Sequence, residues 1–395
     1  MIRVDTPHRP GRLAPHILAT SALLAWGLVP ADPASGTPAR VREVLRDDLP
    51  SRPDVERMER GYYEAILDTG RRPDAPALPG HAEPLRVEHG RLTLPVGDVR
   101  EYVLRPGLAT DPGRRIPWST NAQGMRDRAY PVAKPAGTVR VALVGDSIAA
   151  GWAVRDGEGF EPRLERALDA RSRAAGGPAV EVLNFAVPGH GPGQRWCHFA
   201  GAGWAFSPDL VLYEASPADP GWDERRLRAL LARGVGFDAP VYRRVLADAG
   251  VLPGLTAEAY KTRLRPLRWA LLAGVYRAAA AECAARGVPA VWVLIPRVGK
   301  PADGAERARL VGMARAAGFA AVVDASDAYD GADPATLAVA PDDFHPNAEG
   351  HARIAARLEA ALAARPELSP LSLSLPLSRP RAVRRANATH GAEPR

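Results

Sequence analysis

The sequence predicts an α/β fold in which a five-stranded parallel sheet is covered by helices on both faces. Five short apolar segments, rich in valine, are the predicted strands. They lie at 139–144, 180–185, 210–213, 288–295 and 320–323. Segments with helical periodicity separate them. Strands that alternate with helices along a chain form parallel sheets whose two faces are both buried.

The helices are predicted from apolar residues that recur every three or four positions. The clearest patterns are the positions Phe160, Leu164 and Leu168, the stretch 267–285, and the positions Ile354, Leu358 and Leu362. Asn347 stands just before the last pattern. We expect its side chain to cap that helix, because asparagine accepts hydrogen bonds from the free N–H groups of a first turn.

The N-terminus resembles a targeting segment. Arg9 and Arg12 precede an apolar run at 17–29, which is short for a membrane span but typical of a signal-peptide core. We therefore expect residues 1–30 to be a signal peptide or an N-terminal membrane anchor, and the protein to be exported, to the periplasm or the cell exterior, or anchored to a membrane. A cytoplasmic helix is the alternative interpretation.

The rest of the chain divides into three parts. Residues 31–135 are rich in proline and arginine with weak periodicity, and we interpret them as an accessory region with helices within 40–67 and short strands within 85–103. Residues 136–365 hold the predicted sheet and form the main domain. Residues 366–395 are of low complexity and then basic, which predicts a disordered tail.

Charge and cysteine content exclude some functions. The net charge is +7, but the residues from Arg379 onward contribute +4 of it, so the folded body is close to neutral and nucleic-acid binding is not expected. Cys197 and Cys283 are the only cysteines. They lack metal-ligand spacing, and we expect two buried thiols rather than a disulfide.

Ser147, His345 and Asp342 are the candidate catalytic residues. A serine hydroxyl is a weak nucleophile at neutral pH and needs a base to take its proton and a carboxylate to orient that base. Asp342 and His345 lie three residues apart, so the carboxylate can contact one imidazole nitrogen and leave the other for Ser147. Asp343 is a rival for the carboxylate role, although its spacing suits this contact less. The pattern predicts a serine hydrolase.

The position of these residues on the predicted sheet supports a site. Ligands bind such sheets at the carboxyl ends of the strands. Ser147 lies just past the first strand, and Gly189 lies in a glycine-rich loop after the second, where backbone N–H groups can approach a substrate oxygen. Each motif also has a simpler interpretation: a turn serine, a histidine bonded to backbone at a helix start, and an ordinary tight connection.

Together these segments resemble the SGNH hydrolases, also called the GDSL lipase and esterase family. The motifs are Gly145-Asp146-Ser147, the segment 184–189, and Asp342-x-x-His345-Pro346-Asn347, within a resemblance that spans 121–363. The segment 121–126 is similar to the lead-in of many bacterial members. The resemblance implies a flavodoxin-like three-layer α/β/α sandwich, the SGNH hydrolase fold. It also implies Ser147 as nucleophile, His345 as base, Asp342 as its orienting acid, and the N–H groups of Ser147 and Gly189 in the oxyanion hole.

One position departs from the family pattern. The family usually follows its third strand with a Gly-x-Asn-Asp element, whose Asn side chain is a third oxyanion donor. Here Ala218 stands at the Asn position, with Asp219 retained. Loss of one such donor costs roughly a hundredfold or more in rate. Ser216 and Gln194 are candidate replacements.

The leading function is therefore a serine esterase or acylhydrolase that cleaves carboxylic esters through an acyl-enzyme. Short acyl groups on carbohydrates or small alcohols are the expected substrates, by family analogy. An acyltransferase would use the same residues, and a weakly active or inactive binding protein of the same fold would explain Ala218. An α/β-hydrolase is disfavoured by the tight spacing of Asp342 and His345.

No cofactor and no metal are expected. His190, His198 and His351, taken with Asp342 and Asp343, are the candidate metal ligands, but no pair of these residues has the helical spacing of a zinc motif. The expected partner is a small-molecule or carbohydrate ester, with membrane association through the N-terminal apolar segment.

Overall fold

A computed structural model of the protein describes residues 92–109, 118–341, 343–365 and 368. The predicted N-terminal segment, the predicted helices within 40–67 and nearly all of the basic tail lie outside the described residues. Within the described part of the chain, no helix is long and apolar enough to cross a membrane. Cys197 and Cys283 are both free thiols, as expected.

A five-stranded sheet forms the centre of the fold, with strand order β4-β3-β5-β6-β7 and every neighbouring pair parallel. The strands are β3 (Thr138–Val144), β4 (Ala179–Asn184), β5 (Leu210–Ala215), β6 (Ala290–Leu294) and β7 (Ala321–Asp324). This confirms the predicted α/β fold and its parallel five-stranded sheet. A separate antiparallel hairpin joins β1 (Thr93–Pro95) to β2 (Tyr102–Leu104), where short strands were predicted.

Helices cover the sheet. They are α1 (Phe160–Ala174), α2 (Pro192–Ala202), α3 (Asp219–Leu231), α4 (Pro240–Asp248), α5 (Ala257–Leu264), α6 (Arg268–Ala285), α7 (Gly304–Ala317), α8 (Pro334–Leu337) and α9 (Ala348–Ala363). Short 3₁₀ helices occupy Gly203–Phe206 and Arg265–Leu267. All three predicted helical patterns are confirmed, by α1, α6 and α9.

The alternating side chains of β3 supply two separate cores. Val141 and Leu143 face the core that also contains Leu164 of α1 and Leu358 of α9. Ala142 and Val144, on the opposite face of the strand, belong to the core built with α2, α3, α6 and α7. Because successive residues of a strand point to opposite faces, one valine-rich strand fills both layers. The result is the three-layer α/β/α sandwich.

The free edge of β4 is closed by carboxylates. Three backbone N–H groups on the outer side of this strand each donate to an acidic side chain. In strand order, these bonds run from Val180 to Asp169 at 2.9 Å, from Val182 to Glu165 at 2.7 Å and from Asn184 to Asp127 at 3.1 Å. An unpaired strand edge is a template for aggregation, and acids bound along it prevent pairing with another chain.

Two elements place the site at the carboxyl edge of the sheet. β5 runs two residues further than predicted and buries the charged residue Glu214 within the sheet. Asn347 caps α9 as predicted, since its Oδ1 accepts from the N–H groups of Glu349 at 3.0 Å and Gly350 at 3.1 Å. This cap fixes the turn that carries His345.

Candidate active site

The turn after β3 presents Ser147 at the carboxyl edge of the sheet. Glycine is required at Gly145, because a Cβ there would collide with the Glu214 carboxylate. The Asp146 N–H donates to Glu214 Oε2 at 2.7 Å, and the Trp152 N–H donates to the Ser147 carbonyl at 2.8 Å. The turn is thus held from both sides of the serine.

Ser147 and His345 meet although 198 positions separate them in the sequence. Ser147 Oγ lies 2.8 Å from His345 Nε2, and His345 Nδ1 lies 2.6 Å from Asp343 Oδ1. A carboxylate can only accept, so the proton of the neutral ring sits on Nδ1 and Nε2 is left to accept from the serine hydroxyl. This is the geometry of a serine that an imidazole can deprotonate.

The carboxylate on the histidine is that of Asp343. Asp342, which the sequence assigned to this contact, lies outside the described residues, so its role stays a prediction, while Asp343 makes the contact in the structure. The physical reason is the turn itself, in which Asp343 Oδ1 also accepts from the His345 backbone N–H at 2.9 Å. A spacing of two residues therefore suits the contact, because one oxygen binds both the backbone and the ring of the same histidine.

The electrostatics favour an ionised Asp343. Burial alone would raise the pKa of this carboxyl, but hydrogen bonds from His345 and the nearby charge of Arg297 hold its pKa below the usual value. The Arg297 guanidinium lies 3.5 Å from the centre of the Phe344 ring. An ionised carboxylate stabilises the imidazolium that forms when the histidine takes a proton.

The histidine turn is fixed to its surroundings by backbone bonds. The Val339 N–H donates to the His345 carbonyl at 3.1 Å, and the Val298 N–H donates to the Phe344 carbonyl at 2.9 Å. The Trp152 ring lies 6.4 Å from the His345 ring, centre to centre. Ser147 and His345 are both buried. Rigid support of this kind keeps the imidazole in reach of the serine.

Gly189 lies in the loop after β4, beside the Ser147 turn. The Val187 N–H donates to the Gly145 carbonyl at 3.3 Å, which joins the two segments. Gly189 has a φ of +81°, a conformation that favours glycine. Within the described residues, the N–H groups of Ser147 and Gly189 donate to no protein acceptor. They are therefore available to a substrate oxygen.

The hairpin of the accessory region packs against this loop. Tyr102 Oη donates to the Pro188 carbonyl at 2.9 Å, and His190 Nε2 lies 2.9 Å from the Tyr102 carbonyl. These bonds hold the residues on both sides of Gly189. Part of the region that the sequence interpreted as an accessory lead-in thus supports the loop that carries Gly189.

Arg126, in the predicted lead-in motif, binds the far end of the turn that carries Ser147. Its guanidinium donates to the carbonyls of Ala150 at 2.9 Å and Val154 at 2.6 Å, and also to that of Gly151. These are carbonyls at the end of the turn that begins with Ser147. No helix follows to supply N–H donors to these carbonyls, so the arginine provides their hydrogen bonds instead.

Ala218 is the N-cap residue of α3, shortly after β5, and offers no side-chain donor. Of the two suggested replacements, Gln194 is excluded. Its carbonyl oxygen accepts from the Gly191 N–H at 3.0 Å, and its amide donates to the Val99 carbonyl at 3.1 Å. Ser216 Oγ accepts from the Ala218 N–H at 3.3 Å, which leaves its hydroxyl proton free to donate.

An acidic cluster that the sequence did not reveal lies beneath the turn. It consists of Asp146, Glu214 and Asp219 around the fully buried Arg195. Burial raises the pKa of Asp219 to about 6 and that of Glu214 well above its usual value, against the attraction of Arg195. Glu214 and Asp219 thus hold a proton more readily than exposed acids do.

The remaining candidate histidines are bound to backbone or to rings. His351 Nδ1 accepts from the Phe160 N–H at 3.1 Å, and burial lowers its pKa to about 3. His190 contacts Tyr102, and its ring lies 5.8 Å from that of His198. Burial lowers the pKa of His198 to about 4. The structure does not bring these histidines to Ser147 as a second catalytic group.

Comparison with known proteins gives one family match. A model described as the GDSL-like lipase/acylhydrolase family matches residues 143–353, more than half of the chain. The matched region begins inside β3 and ends inside α9, so it contains Ser147, Gly189 and His345. No curated protein matches the chain.

Several solved structures are similar at low identity. TesA is 18% identical with a TM-score of 0.37, and the match covers 59% of this chain and 99% of that one. A psychrotrophic esterase from Pseudoalteromonas sp. is 14% identical with a TM-score of 0.37, covering 58% and 98%. An acetylxylan esterase from Geobacillus stearothermophilus is 16% identical with a TM-score of 0.37, covering 58% and 94%. Such values support no argument about substrate.

Proposed function

Because this chain belongs to the GDSL-like lipase and acylhydrolase family and is thus a hydrolase acting on ester bonds, we propose that it cleaves carboxylic esters through an acyl-enzyme on Ser147. The single observation that carries the mechanism is the Ser147–His345–Asp343 series, with contacts of 2.8 and 2.6 Å. Nucleophile, base and orienting acid each have a partner in reach.

In the first half of the proposed reaction, Ser147 Oγ attacks the ester carbonyl while His345 Nε2 takes the hydroxyl proton. Asp343 stabilises the resulting imidazolium through Nδ1. The carbonyl oxygen becomes an oxyanion, and the N–H groups of Ser147 and Gly189 donate to it. His345 then gives its proton to the leaving alcohol, and the C–O bond of the ester breaks.

In the second half, water replaces the alcohol. His345 takes a proton from the water, whose oxygen attacks the acyl carbon, and the bond to Ser147 Oγ breaks as the proton returns to the serine. The products are a carboxylic acid and the original enzyme. The proposed substrates are short acyl groups on carbohydrates or small alcohols, an expectation that comes from the family alone.

The test is hydrolysis of p-nitrophenyl acetate and butyrate by the full chain, beside Ser147→Ala and His345→Ala. We expect kcat to fall by roughly 10⁴-fold or more in both variants, because serine and histidine act as one unit. Ser172→Ala is a matched control. Ser172 is buried in the last turn of α1, and its hydroxyl donates to the Pro178 carbonyl just before β4. This variant should keep its activity.

Ala218 favours a second candidate, a protein that keeps the fold and binds esters with little turnover. A missing oxyanion donor lowers rate far more than binding. Equal hydrolysis by the native chain and Ser147→Ala, together with saturable binding of the ester, would support this candidate against the first.

We also propose that the chain is exported, on the basis of Arg9, Arg12 and the apolar run at 17–29. Cell fractionation of the full chain, beside a variant in which two leucines of the run are replaced by aspartate, tests this. Retention of the native chain in the cytoplasm would contradict it.

A further inference from the structure

Arg195 is fully buried, and its guanidinium binds each of the three segments that adjoin the proposed oxyanion hole. Its Nη2 lies 2.6 Å from Asp146 Oδ2 and 3.1 Å from Asp219 Oδ1. Its Nε donates to the His190 carbonyl at 3.1 Å, and its Nη1 donates to the Glu214 carbonyl at 3.3 Å. Three nitrogens thus reach the ends of β3 and β5 and the loop after β4.

Each contacted segment carries one oxyanion position of the family. Asp146 precedes Ser147, His190 follows Gly189, and Asp219 follows Ala218. The guanidinium therefore binds the immediate neighbour of all three positions. Two of them supply backbone N–H donors here, and the third has lost its side-chain donor.

This arrangement depends on the shape of arginine. The guanidinium is planar and presents five N–H donors in a fixed fork, so it can bind acceptors on several sides at once. A lysine at the same place would keep the charge but would be a point donor on a flexible stem. Hydrogen bonds and ion pairs in such a buried, low-dielectric network are stronger than in water, so they restrain the segments that they join.

We propose that Arg195 is a positioning residue that fixes the spacing between the Ser147 and Gly189 N–H groups. This inference rests on the proposed function. Oxyanion donors act only when they already point to where the charge will form, and a small displacement loses most of their effect. With alanine at 218, the site depends on its two backbone donors, and their spacing is set by the segments that Arg195 joins.

The experiment compares Arg195→Met and Arg195→Lys with Arg140→Met. Arg140 is a matched control because it is also fully buried, bound to one acid and to backbone carbonyls, but it lies at the amino end of β3. Two measurements are made on each full-length variant. The first is kcat and KM for p-nitrophenyl acetate, and the second is amide hydrogen exchange in the segments 145–152, 187–194 and 214–220.

We expect Arg195→Met to lower kcat by roughly 10²- to 10³-fold, with KM changed little, because donors to the oxyanion act in the transition state. Arg195→Lys should lose roughly tenfold, since it keeps the charge and reaches fewer acceptors. Both should exchange faster in all three segments. Arg140→Met should keep kcat within about threefold of the native value.

The inference is overturned if folded Arg195→Met loses no more kcat than Arg140→Met and exchanges at native rates in the three segments. If Arg195→Met does not fold, the same comparison with Arg195→Lys decides. If the native chain hydrolyses no ester, the proposed function has failed, and exchange alone decides on Arg195: native protection in the variants would then overturn it.

Discussion

Two buried arginines sit at opposite ends of the same sheet, and their surroundings differ. At the amino end, Arg140 pairs with Glu181 at 2.8 Å and donates to the carbonyls of Pro131, Val132 and Phe206. Glu181 also lies 3.5 Å from Arg128, so two arginines meet one acid there. At the carboxyl end, three acids surround Arg195, and burial raises the pKa values of two of them, Glu214 and Asp219.

The difference separates a structural use of charge from a functional one. A buried arginine whose donors all meet an acid or backbone carbonyls fixes the packing around it. An excess of buried acid costs stability, and such costs concentrate where a site must hold strained turns or protons. Substitutions at the amino end should therefore change stability alone, and those at the carboxyl end should change turnover.

The largest effect on kcat is expected from the carboxylate that contacts His345. Asp343→Asn should lower kcat by roughly 10²- to 10⁴-fold, because an amide cannot stabilise the imidazolium and favours the wrong tautomer. Asp342→Asn is the control and should change kcat by less than about threefold. Steady-state kinetics on p-nitrophenyl acetate measures both. A large loss in Asp342→Asn with none in Asp343→Asn would restore the assignment made from sequence spacing.

At the amino end, Arg140→Met should lower the free energy of unfolding by about 3–5 kcal/mol, since it takes from Glu181 its nearer arginine partner and leaves three backbone carbonyls without their donor. Chemical denaturation measures this loss, and kcat should stay near the native value. A fall in kcat as large as that of Arg195→Met would remove the distinction between the two ends of the sheet.

The acidic cluster predicts a pH dependence of stability. The folded pKa of Asp219 is raised from 3.8 to about 6, so its favourable contribution is full below pH 3.8 and is lost as the pH rises through about 6. Asp219→Asn removes this titration. Its stability relative to the native chain should rise by about 2 kcal/mol between pH 4 and pH 7. Urea denaturation across that range checks this, and a constant difference would contradict it.

The smallest effect expected is a gain. Ala218→Asn restores the amide that the family pattern has at this position, and kcat should rise by roughly 10- to 100-fold if the side chain reaches the oxyanion. Ala218→Leu, which adds bulk without a donor, is the control. An unchanged kcat in Ala218→Asn would mean that the hole is already complete, with Ser216→Ala as the next variant to measure.

The fold was predictable because its signals are strong and local. Valine-rich strands alternate with helices whose apolar faces repeat regularly, and β3, α1 and α9 follow these patterns closely. Asn347 also caps α9 as its residue type indicates. Such features depend on neighbours in sequence, and one chain is enough to identify them.

The site was predictable only in part. Ser147 and His345 stand in short motifs, and the structure brings them into contact. The contact of Asp343 depends on a turn in which its Oδ1 binds both the backbone N–H and the ring of His345. Sequence spacing alone does not predict that turn. Arg195 is one of many arginines, and its role arises only when distant loops meet. Its one sequence signal was Glu214, an acid within an apolar strand that needs a buried partner.

The most direct test of the central claim is labelling with a fluorophosphonate, followed by peptide mass spectrometry. A serine activated by His345 attacks phosphorus and forms a stable adduct, whereas other serines do not. We predict a single adduct on the peptide that contains Ser147, lost in Ser147→Ala and strongly slowed in His345→Ala. An unlabelled Ser147 in the folded native chain, or equal labelling in His345→Ala, would contradict the account.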